Sequence, residues 1–207
     1  MGLIETRVEG GLCHITLNRP DKANALSSAM LEQLVEAVQQ ANARRALILT
    51  GSGSVFSAGA DLKEAAEGLA TSPLWEKLSA AVSDYPGLSI AALNGPCAGG
   101  AMGMVLAADL RIAMPTARFF YPVMRMGYLP QPSDVPRLTR LIGPARAKLI
   151  LMGGAKVSAT EALQFGLIDR ITEDIDAEIA SLTKDLCVAS PDHAAAIRQM
   201  IVQTTAT

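Results

Sequence analysis

The stretch IAALNGPCAGGAMGM, residues 90–104, passes from an apolar segment through a turn of small residues into a helix-forming segment. It carries glycine at positions 95, 99, 100 and 103, although glycine inside a helix costs about 0.5–1 kcal/mol relative to alanine. A second small-residue stretch, VFSAGADL at 55–62, also follows an apolar segment. Because α/β proteins bind ligands at the ends of strands, these two stretches are the first candidates for a functional site.

The segments around them alternate between strand and helix patterns. Residues 12–18 place Cys13, Ile15 and Leu17 on one face, which predicts a half-buried strand. Further strands are predicted at 46–50, 89–93, 109–113 and 118–121. Helices are predicted after a cap at Ser27 or Ser28 and at 99–108, 133–142, 144–152, 158–165, 175–189 and 192–205. This order predicts an α/β fold in one domain.

Composition narrows the class of protein. Half of the 207 residues are apolar and the formal net charge is −2, which gives no electrostatic reason to expect a nucleic-acid partner. No apolar run approaches the roughly 18 residues of a membrane span, and residues 1–10 lack the core of an export signal. Cys13, Cys97 and Cys187 are scattered without a CxxC, so we expect free thiols, no metal site and a reducing, cytoplasmic setting.

The two glycine-containing stretches have a shared chemical interpretation. The first amides of a helix have no internal partner, and two of them converging on one point would bind a carbonyl oxygen as it gains negative charge. The alternative is that the glycines only allow a strand and a helix to pack closely. The GSGS turn at 51–54 lacks the signatures of a P-loop and of a dinucleotide fold, which favours a plain turn over a phosphate site.

Six motifs in order along the chain resemble the crotonase (enoyl-CoA hydratase/isomerase) superfamily. They are NRPDKANAL at 18–26, LILTGSGSVFSAGADL at 47–62, IAALNGPCAGGAMG at 90–103, AADLRIA at 107–113, PRLTRLIG at 136–143 and SATEALQFGLID at 158–169. The resemblance implies the ββα spiral of that family over residues 1–172, with residues 173–207 as a shortened helical segment of the same domain. It also implies a homotrimer or hexamer.

The same resemblance implies the ligand and the residues that hold it. The substrate would be an acyl thioester of coenzyme A, with no permanently bound cofactor. The backbone amides of Ala60 and Gly100 would hold the thioester carbonyl and stabilise its enolate. The path of the coenzyme would be lined by Lys22, Ala23, Ala25, Ala58, Asp61 and Leu62.

The sequence departs from the family where a hydratase needs an acid and a base. The family's hydratases carry two glutamates, and the matching positions here are Gly103 and Val123. Hydration of an enoyl thioester is therefore not expected. Asp134 is the nearest candidate acid or base, because relatives place catalytic acids in this region. Its alternative is an ordinary helix cap, Asp or Ser at the helix start.

Other polar side chains have weaker claims to a role. Tyr121, Tyr128 and Arg125 could bond a substrate hydroxyl or carboxylate, although packing explains each of them too. Cys97 is read as a small buried thiol rather than a nucleophile, since no histidine occurs in these motifs. His14 and His193 fit neither a catalytic triad nor a metal site.

Three functions stay open at this point. The first is an enzyme of acyl-CoA chemistry that passes through an enolate, such as an isomerase, decarboxylase, thioester hydrolase or lyase. The second is a CoA-binding scaffold without acid–base catalysis, and the third is a structural subunit. Relatives end in helices that cover the site and contact a neighbouring subunit, and the resemblance implies that a terminal helix of this kind is missing here. We therefore expect a more open site, an altered oligomer or a truncated sequence.

Overall fold

The fold is given by a computed structural model that describes residues 2–205, apart from the side chains of residues 202, 204 and 205. The strands are β1 Ile4–Glu9, β2 Leu12–Leu17, β3 Ala46–Gly51, β4 Leu88–Leu93, β5 Cys97–Ala98, β6 Leu110–Ala113, β7 Arg118–Phe120, β8 Val157–Ser158 and β9 Arg170–Ile171. A six-stranded sheet has the order β1-β2-β3-β4-β6-β9, and β5-β7-β8 form a smaller sheet. In the large sheet β1 pairs antiparallel to β2 and every other pairing is parallel.

Helices follow most of the strands. They are α1 Ser28–Gln40, α2 Leu62–Ala66, α3 Leu74–Ser83, α4 Met102–Ala107, α5 Val123–Met126, α6 Asp134–Leu151, α7 Ala159–Phe165, α8 Ile175–Val188 and α9 Pro191–Thr205. Local caps fix several starts: Ser27 Oγ accepts the Met30 amide at α1, and Ser158 with Glu161 forms a capping box at α7. No helix in the described part of the chain is long and apolar enough to cross a membrane.

The central strands are buried on both faces, which explains their continuous apolar sequences. In β3, Leu47 and Leu49 face the larger core, which also contains buried side chains of α1, α3 and α4. Ala46 and Ile48 alternate to the opposite face, where Ile179 of α8 covers them. The sheet is therefore packed on both faces. The small-residue stretches follow the carboxyl ends of its strands β3 and β4.

The α/β architecture predicted from the sequence is confirmed, and the predicted strands and helices are present within a few residues of their expected bounds. The two helices predicted at 133–142 and 144–152 form α6, which kinks at Gly143, where φ is 77°. The helix predicted at 99–108 begins with a 3₁₀ turn at Gly99–Ala101. The elements without a counterpart in the prediction are β1, β5, β8, β9, α2, α3 and α5.

Candidate active site

The two small-residue stretches meet side by side. Ser57 and Cys97 form a parallel bridge, in which the Ser57 amide donates to Pro96 O and the Ala98 amide donates to Ser57 O. Two residues further on, the backbones touch at Gly59 and Gly99: a methyl group on Gly59 would lie 2.8 Å from Ala98 O and 3.4 Å from Gly99 Cα. Both glycines have positive φ, 92° and 55°. Close approach and backbone conformation together therefore require glycine at 59, and the positive φ favours it at 99.

The next residue in each stretch carries a candidate amide donor. Leu26 pairs with the chain around Ala60 through the Gly59 carbonyl and the Asp61 amide, and among the described residues the Ala60 amide has no acceptor. Gly100 lies in the first turn of its 3₁₀ segment, where amides have no intrahelical partner. Both residues line one cavity of about 210 Å³. A carbonyl oxygen inside that cavity has two candidate donors on adjacent backbones.

The cavity wall is mainly apolar. Its apolar lining includes Ala58, Leu62, Ala65, Trp75, Phe120 and Val123. The Trp75 ring packs on Gly100 so closely that a methyl group there would lie 2.9 Å from Trp75 Cζ3, and Trp75 Nε1 donates to Leu69 O at 2.7 Å. Of the residues that line the cavity, Arg125 alone carries a charge. Such a wall suits an apolar acyl chain with few polar groups.

Buried polar side chains hold the neighbouring loop against this site. Asn24 is fully buried, and its Nδ2 donates to Ser52 O and Val55 O while its Oδ1 accepts the Arg19 amide. Ser57 Oγ donates to Asn24 O and accepts the Gly59 amide. These bonds satisfy the buried groups and fix the turn that precedes the candidate donors.

The residues expected along the coenzyme path lie on two adjacent segments. Ala58 and Leu62 line the cavity, and the Ala58 amide donates to Ala23 O at 2.9 Å. Asp61 caps α2 and accepts a hydrogen bond from Arg19 at 2.8 Å, which lowers the pKa of its carboxyl. Lys22 is exposed at the end of a short 3₁₀ turn, and Ala25 is half-buried. These two and Ala23 do not line the cavity itself.

Asp134 lies inside the fold rather than at a cap. It is the first residue of α6, follows Ser133 at the N-cap position, and is 1% exposed. The Tyr121 hydroxyl donates to Asp134 Oδ2 at 2.8 Å, whereas Oδ1 has no partner within the described residues. The expectation of a helix cap is therefore wrong for Asp134: its carboxyl is turned away from the helix amides toward Tyr121.

Burial sets the protonation of this pair. Desolvation raises the pKa of Asp134 to about 6, against a lowering by the Tyr121 hydrogen bond. The Glu76 carboxylate raises this pKa further, and Arg137 lowers it. Burial and the Asp134 carboxyl together raise the pKa of Tyr121, so its hydroxyl stays protonated at neutral pH.

Gly103 provides the space for that carboxyl. A methyl group on Gly103 would lie 3.0 Å from Asp134 Oδ1 and 2.8 Å from Ser79 Oγ. Val123, the second position where the resemblance places a glutamate, lines the cavity with an apolar side chain. A carboxyl group thus stands beside the Gly103 position, but it comes from α6 instead of α4.

The remaining candidates are distributed around and away from the cavity. Tyr121, Tyr128 and Arg125 line it. Cys97 is fully buried in the core, and burial raises the pKa of its thiol, which opposes a nucleophilic role. His14 lines a separate polar groove with Glu5, Arg7 and Asp176. Within the described residues, no three His, Cys, Asp or Glu side chains form a group that could hold a metal ion.

Sequence reasoning missed the contact between Tyr121 and Asp134 and the role of Trp75. The first pair is separated by 13 residues, across a turn whose path no periodic pattern describes. Trp75 lies in a segment for which no element was predicted. Gly103 was a signal for the position of Asp134, since a glycine in a buried helix indicates that another group occupies the space of its side chain.

Known proteins resemble this chain over most of its length. The sequence model described as "Enoyl-CoA hydratase/isomerase" matches residues 7–207. A Rhodobacter capsulatus protein named "Probable enoyl-CoA hydratase" is 38% identical over 181 residues, which are 84% of this chain and 70% of that protein. "Enoyl-CoA isomerase/hydratase fer4" of Mycosarcoma maydis is 33% identical over 179 residues, 78% of this chain and 65% of its own length.

Solved structures agree with the sequence matches. A crystal structure described as an enoyl-CoA hydratase subunit from Geobacillus kaustophilus superimposes with a TM-score of 0.90 at 33% identity, covering 100% of this chain and 83% of that one. An enoyl-CoA hydratase from Bacillus anthracis gives a TM-score of 0.91 at 29% identity, covering 100% and 84%. This chain therefore belongs to the enoyl-CoA hydratase/isomerase family, the crotonase superfamily.

Proposed function

We propose that this chain is an acyl-CoA enzyme that holds the thioester carbonyl with the amides of Ala60 and Gly100 and stabilises the enolate formed next to it. The supporting observation is the parallel pairing at Ser57 and Cys97, followed by contact of Gly59 with Gly99, just before the two candidate donors. Two donors prepared in advance stabilise charge that develops during the reaction without a further reorganisation.

The coenzyme would follow the two segments that are hydrogen-bonded beside the cavity. Ala58 and Leu62 would contact the pantetheine, and the exposed Lys22 would lie near the phosphates. Ala23, Ala25 and Asp61 would supply backbone and turn contacts. The resemblance supports a trimer or hexamer as the working assembly.

The reaction class would be isomerisation, decarboxylation or carbon–carbon cleavage rather than the standard hydration. Gly103 and Val123 supply no carboxyl group, whereas hydration requires an acid and a base that manage a water molecule. Asp134 is the acid–base candidate, because its buried carboxyl lies beside the backbone of Gly103, where the resemblance places a glutamate. Of these reactions, decarboxylation needs the fewest acid–base groups, since loss of carbon dioxide itself generates the enolate.

Binding of a thioester and of its thioether analogue tests the carbonyl site directly. Acetyl-CoA and S-ethyl-CoA differ in the carbonyl oxygen, so calorimetry should find acetyl-CoA bound roughly tenfold more tightly, from two hydrogen bonds of about 0.5–1.5 kcal/mol each. Equal affinities would contradict a role for the Ala60 and Gly100 amides. Absence of binding at millimolar acetyl-CoA would contradict the function as a whole.

A CoA-binding scaffold is the second candidate, supported by the absence of glutamate at Gly103 and Val123. Turnover of enoyl-, malonyl- and methylmalonyl-CoA separates the two. An enzyme converts one of the panel, and crotonyl-CoA hydration remains far slower than that conversion. Tight binding with no conversion and no exchange of substrate protons would favour the scaffold.

A further inference from the structure

A tyrosine that lines the cavity is hydrogen-bonded to a buried carboxyl. Tyr121 lines the cavity together with Gly100, and its hydroxyl donates to Asp134 Oδ2 at 2.8 Å. Tyr121 is 4% exposed and Asp134 is 1% exposed. Asp134 itself does not line the cavity, so a substrate would meet the tyrosine and not the carboxyl.

The second oxygen of that carboxyl is unsatisfied. Asp134 Oδ1 has no hydrogen-bond partner within the described residues, although a buried carboxylate oxygen without a partner costs about 1–3 kcal/mol or more. The side chain is held there by the Tyr121 bond and by the space at Gly103. Because this cost applies to the ionised form, the Asp134 carboxylate accepts a proton more readily than an exposed one. Such a carboxyl next to a cavity is a candidate for a role in proton transfer.

We propose that Tyr121 is the catalytic residue that exchanges a proton with the acyl chain, and that Asp134 is the proton reservoir behind it. This inference rests on the proposed function, since it requires an acyl thioester in the cavity. In family hydratases a glutamate on the helix that corresponds to α4 would stand at position 103. Here the carboxyl comes from Asp134 of α6 instead.

The proton transfer balances without another reactant. A C–H bond next to the thioester carbonyl breaks and its proton goes to a lone pair of the Tyr121 hydroxyl oxygen. The original O–H bond of Tyr121 breaks as its proton moves to Asp134 Oδ2, and the electron pair left on carbon becomes the enolate held by the Ala60 and Gly100 amides. Tyr121 ends as it began, Asp134 ends protonated, and the reverse transfer delivers the proton to carbon.

The groups around Asp134 shift its pKa and so set the pH dependence of the proton transfer. Glu76 of α3 opposes ionisation of Asp134, while Arg137 of α6 and the Tyr121 hydroxyl favour it. Proton removal needs the carboxylate form of Asp134 and the neutral form of Tyr121. The rate of proton removal should therefore rise with pH through the titration of Asp134 near pH 6 and then level off.

Exchange of the substrate's α protons for deuterium tests the pair. Acetyl-CoA and butanoyl-CoA are incubated with the full chain in D₂O and analysed by mass spectrometry. Tyr121→Phe and Asp134→Asn should each slow exchange about 100-fold or more, with acetyl-CoA affinity within threefold of the wild type. The matched control is Tyr85→Phe, which should leave exchange unchanged, because Tyr85 is buried, does not line the cavity, and its hydroxyl donates to the Ala41 and Arg44 carbonyls.

The outcomes separate the two proposals. Loss of exchange in both variants, with loss of the rise near pH 6 in Asp134→Asn, supports the relay. Exchange within threefold of the wild type in a folded Tyr121→Phe variant overturns it, as does a wild type that binds acetyl-CoA but exchanges no proton. A wild type that fails to bind acetyl-CoA overturns the proposed function, and the relay with it. If Asp134→Asn does not fold, the rate of proton exchange in Tyr121→Phe alone decides whether the relay is correct.

Discussion

Replacing Asp134 by asparagine keeps the size of the side chain and an acceptor for the Tyr121 hydroxyl but removes its titration. The carboxyl has a pKa of about 6 in the folded protein against an ordinary 3.8. Between these values the folded chain holds a proton that the unfolded chain has released, so its free energy of unfolding falls as pH rises. The gap corresponds to about 3 kcal/mol, at about 1.36 kcal/mol for each pH unit.

The sign follows from the raised pKa. The stability that the protonated carboxyl contributes is fully present below pH 3.8 and is lost as pH rises through 6. Asparagine does not titrate, so the variant should gain on the wild type by about 2.4 kcal/mol between pH 4 and pH 7 and by almost nothing more above that range.

Urea unfolding of both proteins at pH 4, 5, 6, 7 and 8, followed by circular dichroism, measures this difference. Asp61→Asn serves as the control of opposite sign. Because Arg19 lowers the pKa of Asp61, its contribution is lost only as pH falls, and its difference from wild type should stay constant from pH 5 to 8. A wild-type minus Asp134→Asn difference that is constant within about 0.5 kcal/mol from pH 4 to 8 would refute the reasoning.

Four further substitutions, used in three experiments, test the packing around the cavity and the cap of α2. Gly59→Ala should destabilise the fold by about 1–3 kcal/mol, because φ is 92° and the new methyl group lies 2.8 Å from Ala98 O; an unchanged melting temperature would contradict this. Gly103→Ala and Asp134→Ala should be coupled by about 0.5–3 kcal/mol in a double-mutant cycle, since the new methyl group at 103 would lie 3.0 Å from Asp134 Oδ1; additive effects would argue against that contact. Asp61→Ala should cost about 1 kcal/mol in urea unfolding through loss of the α2 cap, and a variant as stable as wild type would exclude a stabilising cap.

The sequence predicted those elements whose side chains show a regular period. β3 and β4 are buried on both faces and therefore read as apolar runs, and α1 shows its buried stripe at helical spacing. β1 escaped detection because most of its side chains are exposed and its strand conformation depends on pairing with β2. The short α2 has no complete apolar face of its own.

The candidate site divides in the same way. Local sequence indicated the two small-residue stretches, and the family resemblance implied Ala60 and Gly100 within them. The pair of Tyr121 and Asp134 depends on how α6 packs against α4, and a long-range packing geometry leaves no short-range pattern. The glycine at 103 was noticed as a departure, but the identity of its neighbour required coordinates.

The bridge between Ser57 and Cys97 has a consequence for how this scaffold tolerates insertions. Each candidate donor, the Ala60 amide or the Gly100 amide, lies three positions after its bridge residue, so adding or deleting one residue in either interval would turn one donor away from the other. The segment from 63 to 87 reaches the site through Trp75, which lines the cavity and packs on Gly100. Length changes in this segment that move Trp75 would therefore disturb the candidate donor at Gly100 as well as the cavity wall, whereas changes that keep Trp75 in place would spare both.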